Sequence, residues 1–223
     1  MMAIDAVIFD LDGTLVDSAA DIAEAVNRLF DALQLPRVSE ALVRGWIGDG
    51  VGALVTTALA HHGSAEPLQR AMPLFMAGYH ACLLRSPRLY PGVLETLQAL
   101  QQAGLPMAIC TNKPADLVPP LLQHLGIAGF IAGIIGGGSL PQRKPHPAPL
   151  LASAAGLGVP VAQCLMVGDS ATDHAAAMAA QMPVALVSYG YPRQLDLQAV
   201  PSLAVVDDLR QLLPLLLPAP AVG

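Results

Sequence analysis

The sequence predicts an α/β fold, a parallel sheet with helices on both faces, into which an all-helical cap is inserted. Three observations carry this reading. Short, nearly continuous apolar runs recur along the chain, as strands buried on both faces require. Stretches of helical period separate most of these runs, which is the alternation of strand and crossover helix in a parallel sheet. One interval, residues 19–88, holds helical periodicity alone. The core is accordingly Rossmann-like, built from residues 1–18 and 89–223, and residues 19–88 form the cap.

Taken in order, residues 4–9 (IDAVIF) make the first strand, ended by Asp10 and turned at Gly13. The cap follows in DIAEAVNRLFDALQL, SEALVRGWIGDGVGALVTTALAHHG and PLQRAMPLFMAGYHACLL, whose apolar residues fall at helical spacing. Further strands are expected at 106–110, 131–135, 163–167, 183–187 and 203–206, with helices at 91–103, 114–125, 147–157 and 171–180. The run at 131–135 (IAGII) is the weakest strand pattern, and Gly136 to Gly138 read as a flexible turn. Pro147 and Pro149 suit the start of a helix, where a missing N–H does little harm. A last helix is expected to end near Pro214, with the tail beyond it frayed.

Composition narrows the function classes. The chain has 223 residues, 54% of them hydrophobic. No stretch reaches the roughly 20 uninterrupted apolar residues of a membrane span. The N-terminal run is interrupted by Asp5 and lacks the layout of a signal peptide. A soluble protein without a membrane partner is expected. Cys82, Cys110 and Cys164 are odd in number and widely spread, which argues against a disulfide framework or zinc site and for a reducing cytoplasm. His61, His62, His80, His124 and His174 show no metal-ligand spacing. A net charge of −6 without a basic stripe excludes nucleic acid as a partner. An anionic ligand must then be met by a few local positive groups. Only two lysines exist, Lys113 and Lys144. Lys144 precedes the first of three prolines in QRKPHPAPL, so its backbone is restricted to extended conformations. Lys113 is expected to face solvent or the cap, and Trp46 to be a packing anchor.

Several expected strands end in polar residues: Asp10 and Asp12 after the first, Thr111 and Asn112 after the second, Asp169 and Asp173 after the strand at 163–167. Ligands of open parallel sheets bind outside the carboxyl ends of the strands, so these side chains should converge. Clustered carboxylates repel unless protonated or gathered round a cation, and an oxygen-only set favours Mg²⁺. With a lysine and a hydroxyl added, the site would hold a metal and a phosphate, and a carboxylate could attack phosphorus to give an aspartyl phosphate. A signalling receiver module clusters similar groups, but it needs neither a second aspartate at Asp12 nor a large helical insertion.

The stretches DLDGTLVDS (10–18), TNKP (111–114), KPHPAPL (144–150) and GDSATD (168–173) resemble the four ordered motifs of the haloacid dehalogenase superfamily. The resemblance implies Asp10 as nucleophile and Asp12 as general acid, then base. It implies Thr111, Asn112 and Lys144 around the phosphoryl group. Mg²⁺ would sit on Asp10, the Asp12 main-chain carbonyl and Asp169, with Asp173 supporting through water. An aspartate at position 12 favours phosphatase or mutase chemistry over dehalogenation. GWIGDGVGALVTTAL (45–59), YPGVLETL (90–97) and LPQRKPHPAPLL (140–151) are similar to bacterial phosphoglycolate phosphatases. That likeness implies a small phosphorylated metabolite as substrate, 2-phosphoglycolate first. A sugar-phosphate phosphatase or phosphomutase is the alternative, and the chain is expected to act as a monomer or homodimer. Such relatives often carry an acidic residue in the glycine stretch before the lysine, where this chain has Gly138. The loop Gly48-Asp49-Gly50 could reach the site when the cap closes. A phosphonate-cleaving relative would need a Schiff-base lysine in the cap, and no lysine precedes Lys113.

Overall fold

The computed structural model describes residues 4–193 and 195–217. Its main sheet has six strands, β1 (Ala6–Phe9), β4 (Met107–Pro114), β5 (Gly133–Gly137), β6 (Cys164–Gly168), β7 (Val184–Val187) and β8 (Ala204–Val206). They lie in the order β5-β4-β1-β6-β7-β8, and every pairing is parallel. Because side chains alternate along a strand, each strand feeds two apolar layers. Val7, Phe9, Met107, Ile109, Leu165 and Val167 point into one layer. Ala6, Ile8, Ala108, Cys110, Cys164 and Met166 point into the other. Both faces are thus buried, which explains the unbroken apolar runs in the sequence.

From β1 the chain adds β4 and β5 on one side, then returns to lay β6, β7 and β8 on the other. The direction of winding therefore reverses beside β1. Crossover helices leave in opposite directions at such a point and open a crevice at the carboxyl ends of the central strands. The helices α5 (Val93–Gln102), α6 (Val118–His124), α7 (Ala148–Leu157) and α8 (Ala171–Ala180) cover the sheet, and α6, α7 and α8 follow β4, β5 and β6 respectively.

Four helices stand between β2 (Val16–Asp17) and β3 (Arg88–Leu89): α1 (Ala19–Ala32), α2 (Glu40–Arg44), α3 (Val51–His61) and α4 (Leu68–Cys82). β2 and β3 pair antiparallel, Val16 against Leu89 and Asp17 against Arg88, so the chain enters and leaves the helices through one ribbon. Asp21 reinforces it by accepting from the Ser86 N–H at 3.1 Å and hydroxyl at 2.6 Å. The helices do not carry a core of their own. Phe30, Phe75 and Tyr79 are buried in the same apolar cluster as Phe9 and Val167 of the sheet.

Three sequence expectations need correction. The strand expected at 131–135 is displaced to Gly133–Gly137, and Gly136 and Gly137 belong to it rather than to a turn. A Cβ on Gly136 would lie 2.6 Å from the Ala115 Cα, and one on Gly137 would lie 2.7 Å from the Asn112 carbonyl oxygen. These glycines are there because β5 approaches the backbone after β4 too closely for a side chain. The helix expected at 114–125 starts at Val118, after a 3₁₀ turn at Ala115–Leu117. Pro119 and Pro120 lack N–H groups and are tolerated only in a first turn, so the helix must begin beside them. For the same reason Pro214 sits in the first turn of α9 (Leu213–Leu216) instead of ending the last helix. The tail at 218–223 lies outside the described residues. Among the described residues no helix is long and apolar enough to cross a membrane.

Phe75 on α4 is fully buried in the cluster shared with the sheet. Phe75→Ala is expected to cost about 3–5 kcal/mol in urea unfolding. The transition should stay single, and a separate early transition of the helices would contradict the shared core.

Candidate active site

Asp10 is the residue after β1, at the point where the winding reverses. Its N–H donates to the Val167 carbonyl at 2.9 Å, extending the β1–β6 ladder by one bond. Lys144 reaches it from the loop between β5 and α7, where Pro147 caps the helix and Pro149 lies in its first turn. The Lys144 ammonium is buried and donates to Asp10 Oδ1 at 2.8 Å, Asp173 Oδ1 at 2.6 Å and the Cys110 carbonyl at 2.6 Å. Its three N–H groups are all used. Gly138 has nothing near it, and Lys144 is anchored without an acidic residue there. Among the described residues Asp10 Oδ2 accepts no hydrogen bond, so it is the free oxygen of the pair.

Asp169 and Asp173 are set by the turn from β6 into α8. Ser170 caps α8 by accepting from the Asp173 N–H at 3.3 Å, while Asp173 Oδ2 accepts from the Ser170 N–H at 3.1 Å and hydroxyl at 2.6 Å. Asp169 Oδ1 accepts from the Thr14 hydroxyl at 2.9 Å, and Oδ2 from the Tyr191 N–H at 2.6 Å. Two glycines make room for it. A Cβ on Gly13, whose φ is +95°, would fall 2.3 Å from Asp169 Oδ2. One on Gly190 would fall 2.4 Å from the Asp169 Cβ.

Ligand oxygens of Asp10, Asp169 and Asp173 lie within 4.8 Å of one another, all buried. Burial raises the Asp10 carboxyl to about 6; Lys144 opposes the shift and Asp173 adds to it. Burial also lifts Asp169 well above the usual carboxylate range, reinforced by Asp173 and Asp10. Burial works against the Lys144 ammonium, but Asp10 and Asp173 outweigh it and raise the lysine above its usual value. Three carboxylates against one lysine leave a buried excess of negative charge. An all-oxygen donor set with that excess fits a hard divalent cation, which would relieve the repulsion among the carboxylates.

Above this cluster is a small cavity of about 40 Å³, room for only a few waters, lined on one side by Asp10, Asp12 and Thr111. Asp12 Oδ1 accepts from the Ser18 hydroxyl at 2.6 Å and from the Lys113 ammonium at 3.0 Å. Its carboxylate is not one of the three that cluster. Lys113 is buried, contacting the Tyr79 hydroxyl of α4, so it meets the helices and not solvent. Asn112 donates through Nδ2 to the Lys144 carbonyl at 2.9 Å and the Gly48 carbonyl at 3.1 Å. The side-chain amide expected near a phosphate therefore braces two loops. Gly48 and Gly50 line the cavity, and Asp49 binds the Thr172 hydroxyl at 2.7 Å and Arg193 through two bonds of 2.6 and 2.9 Å. Trp46 is half-buried against the shared core.

Sequence reasoning missed Thr14, Ser18, Tyr79, Tyr191 and Arg193. Thr14 and Ser18 lie inside the DLDGTLVDS stretch, whose length was the available signal. Tyr79, Tyr191 and Arg193 meet the site only through tertiary packing.

The winding reversal thus brings a carboxylate with one unbonded oxygen, a buried lysine and an acidic cluster suited to a cation into the crevice where ligands of parallel sheets bind. Residues 7–187 match the family model described as haloacid dehalogenase-like hydrolase, and the chain belongs to that family. It is 43% identical over 213 residues to a phosphoglycolate phosphatase of Pseudomonas syringae pv. tomato, covering 93% of this chain and 78% of that protein. It is 42% identical over 214 residues to a phosphoglycolate phosphatase of Rhodospirillum rubrum, covering 93% and 88%. The crystal structure of a predicted phosphoglycolate phosphatase from Haemophilus somnus 129PT superposes with a TM-score of 0.89 at 36% identity, covering 95% and 97% of the two chains.

Because Asp10 titrates above its usual 3.8, its ionisation costs stability that begins to appear as pH passes about 4 and is complete above about 6. In metal-free buffer Asp10→Asn should gain thermal stability relative to the parent as pH rises through that window. A divalent cation should reverse the gain. A difference that stays flat from pH 4 to 7 would contradict the buried-charge account.

Proposed function

We propose that the protein is a Mg²⁺-dependent phosphatase of small phosphomonoesters, with 2-phosphoglycolate as preferred substrate and glycolate and phosphate as products. The observation that carries this reading is the pairing of Asp10 with Lys144 beneath a cavity that Asp12 also lines. Asp10 attacks phosphorus through its unbonded oxygen, forming an aspartyl phosphate and releasing the alkoxide. Asp12 gives that alkoxide a proton. It then takes a proton from the water that attacks the aspartyl phosphate, restoring Asp10 and freeing phosphate. Thr111 holds a phosphoryl oxygen, Lys144, whose three donors are taken up, fixes Asp10 for attack and supplies positive charge beneath the phosphoryl group, and Asn112 keeps the loops in place. Asp10, the Asp12 main-chain carbonyl, Asp169 and Asp173 form the Mg²⁺ site; when bound, Mg²⁺ offsets the negative charge that gathers on the phosphoryl group.

Residues 19–88 serve as a cap over a core of residues 1–18 and 89–223. The tip Gly48-Asp49-Gly50 closes over the site and keeps out bulk solvent other than the water that Asp12 activates. The names of the relatives point to phosphoglycolate as the substrate. Three free, buried cysteines suit a cytoplasmic enzyme.

Steady-state kinetics test the chemistry. Asp10→Asn should lower kcat by roughly three orders of magnitude or more, with the circular dichroism spectrum unchanged. Asp12→Ala should lose roughly 100- to 10,000-fold. Substantial turnover by Asp10→Asn would remove it as nucleophile. For the substrate, kcat/KM is expected to be highest for 2-phosphoglycolate in a panel with hexose phosphates, nucleotides and pyrophosphate. A sugar phosphate at the top of that panel would overturn the substrate and leave the chemistry standing.

A further inference from the structure

Lys113 has no part in the phosphoryl chemistry above, yet it is one of only two lysines and is buried against the cavity. Among the described residues that line the cavity it is the only cation. Lys144 lies beneath, consumed by Asp10, Asp173 and the Cys110 carbonyl. Thr111 and Lys113 stand two residues apart on β4 and both reach the cavity. A substrate held by its phosphoryl group at Thr111 would bring its other end near Lys113. Nearby walls, Ile22, Ile47 and Leu54, are apolar and offer a second charge nothing.

The Lys113 ammonium has three donors. Asp12 accepts through Oδ1 at 3.0 Å and through Oδ2 at 3.3 Å, and the Tyr79 hydroxyl contacts the same nitrogen; a carboxylate entering the cavity would take over the longer contact to Asp12. The Tyr79 ring, 4.7 Å from the nitrogen, also holds the charge in place. We propose that Lys113, positioned by Tyr79, is the specificity-determining receptor for a second anionic group on the substrate, a carboxylate. The inference rests on the reading of the site as a phosphatase of small phosphomonoesters. A lysine that served only to hold Asp12 would treat all phosphomonoesters alike, which separates the two roles experimentally.

2-Phosphoglycolate and ethyl phosphate share the phosphoryl group and two-carbon chain, and differ in the carboxylate. The experiment compares kcat and KM for both in the Mg²⁺-loaded parent enzyme and in Lys113→Met, Lys113→Gln and Lys113→Arg. Loss common to both substrates reads the contact with Asp12, and the difference between them reads the carboxylate. The parent should prefer phosphoglycolate. The two neutral variants should lose roughly ten- to a hundredfold more on phosphoglycolate than on ethyl phosphate, mainly through KM. Lys113→Arg should keep most of the preference. If Lys113→Met does not fold, Lys113→Gln, which retains a donor for Asp12, carries the comparison. Equal losses on the two substrates, with the parent still preferring phosphoglycolate, overturn the Lys113 assignment alone. A parent enzyme most active on a hexose phosphate overturns the substrate reading instead.

Discussion

The ion pairs of Lys144 hold the site together, and the arrangement depends on them more than on any other contact. One ammonium joins Asp10 at the end of β1, Asp173 at the start of α8 and a backbone carbonyl of β4. Three elements from distant parts of the chain are thereby fixed at one point. Removing a buried charge from such a cluster leaves its partners uncompensated, which is far more damaging than losing an exposed pair. The same lysine also explains how so acidic a site survives burial: it cancels part of the repulsion, and the remaining excess is what attracts a cation.

Around that cluster the backbone is arranged to bring main-chain atoms close. Gly13 and Gly190 let Asp169 sit between two loops, and a side chain at either position would meet it. The capping box of α8 has a double role, since the carboxylate that closes the first turn also binds Lys144. Local helix chemistry and the charge balance of the site are therefore served by one residue, Asp173. Asn112 couples the Lys144 loop to the helices in a similar way, through the carbonyl of Gly48.

Much of this was legible in the sequence, and for physical reasons. Buried parallel strands write continuous apolar runs, and polar residues at their ends mark the crevice, so the sheet and its four motifs could be read directly. Gly136 and Gly137 misled because glycine marks a turn and a close backbone approach equally well, and only the neighbour across the sheet distinguishes them. Lys113 was half legible: its place near the carboxyl end of a strand was visible, but its partners Asp12 and Tyr79 lie 101 and 34 residues away. The bond from Thr172 to Asp49 spans 123 residues and left no local pattern at all. Contacts between the helices and the sheet are set by packing, and sequence periodicity says which face is apolar without saying what it meets.

The antiparallel ribbon of β2 and β3 has a mechanical meaning. Its strands are two residues each, and they are the only covalent connections between the four helices and the sheet. Two tethers leaving side by side form one attachment point, so the covalent link alone would allow a tilt about the ribbon, and the shared apolar core is what opposes it. Asp12 and Ser18 flank β2, so the same short ribbon that carries the helices is bonded to a carboxylate that lines the cavity. Any swing of the helices is thus geared to the carboxylate of Asp12 through fewer than ten residues of chain.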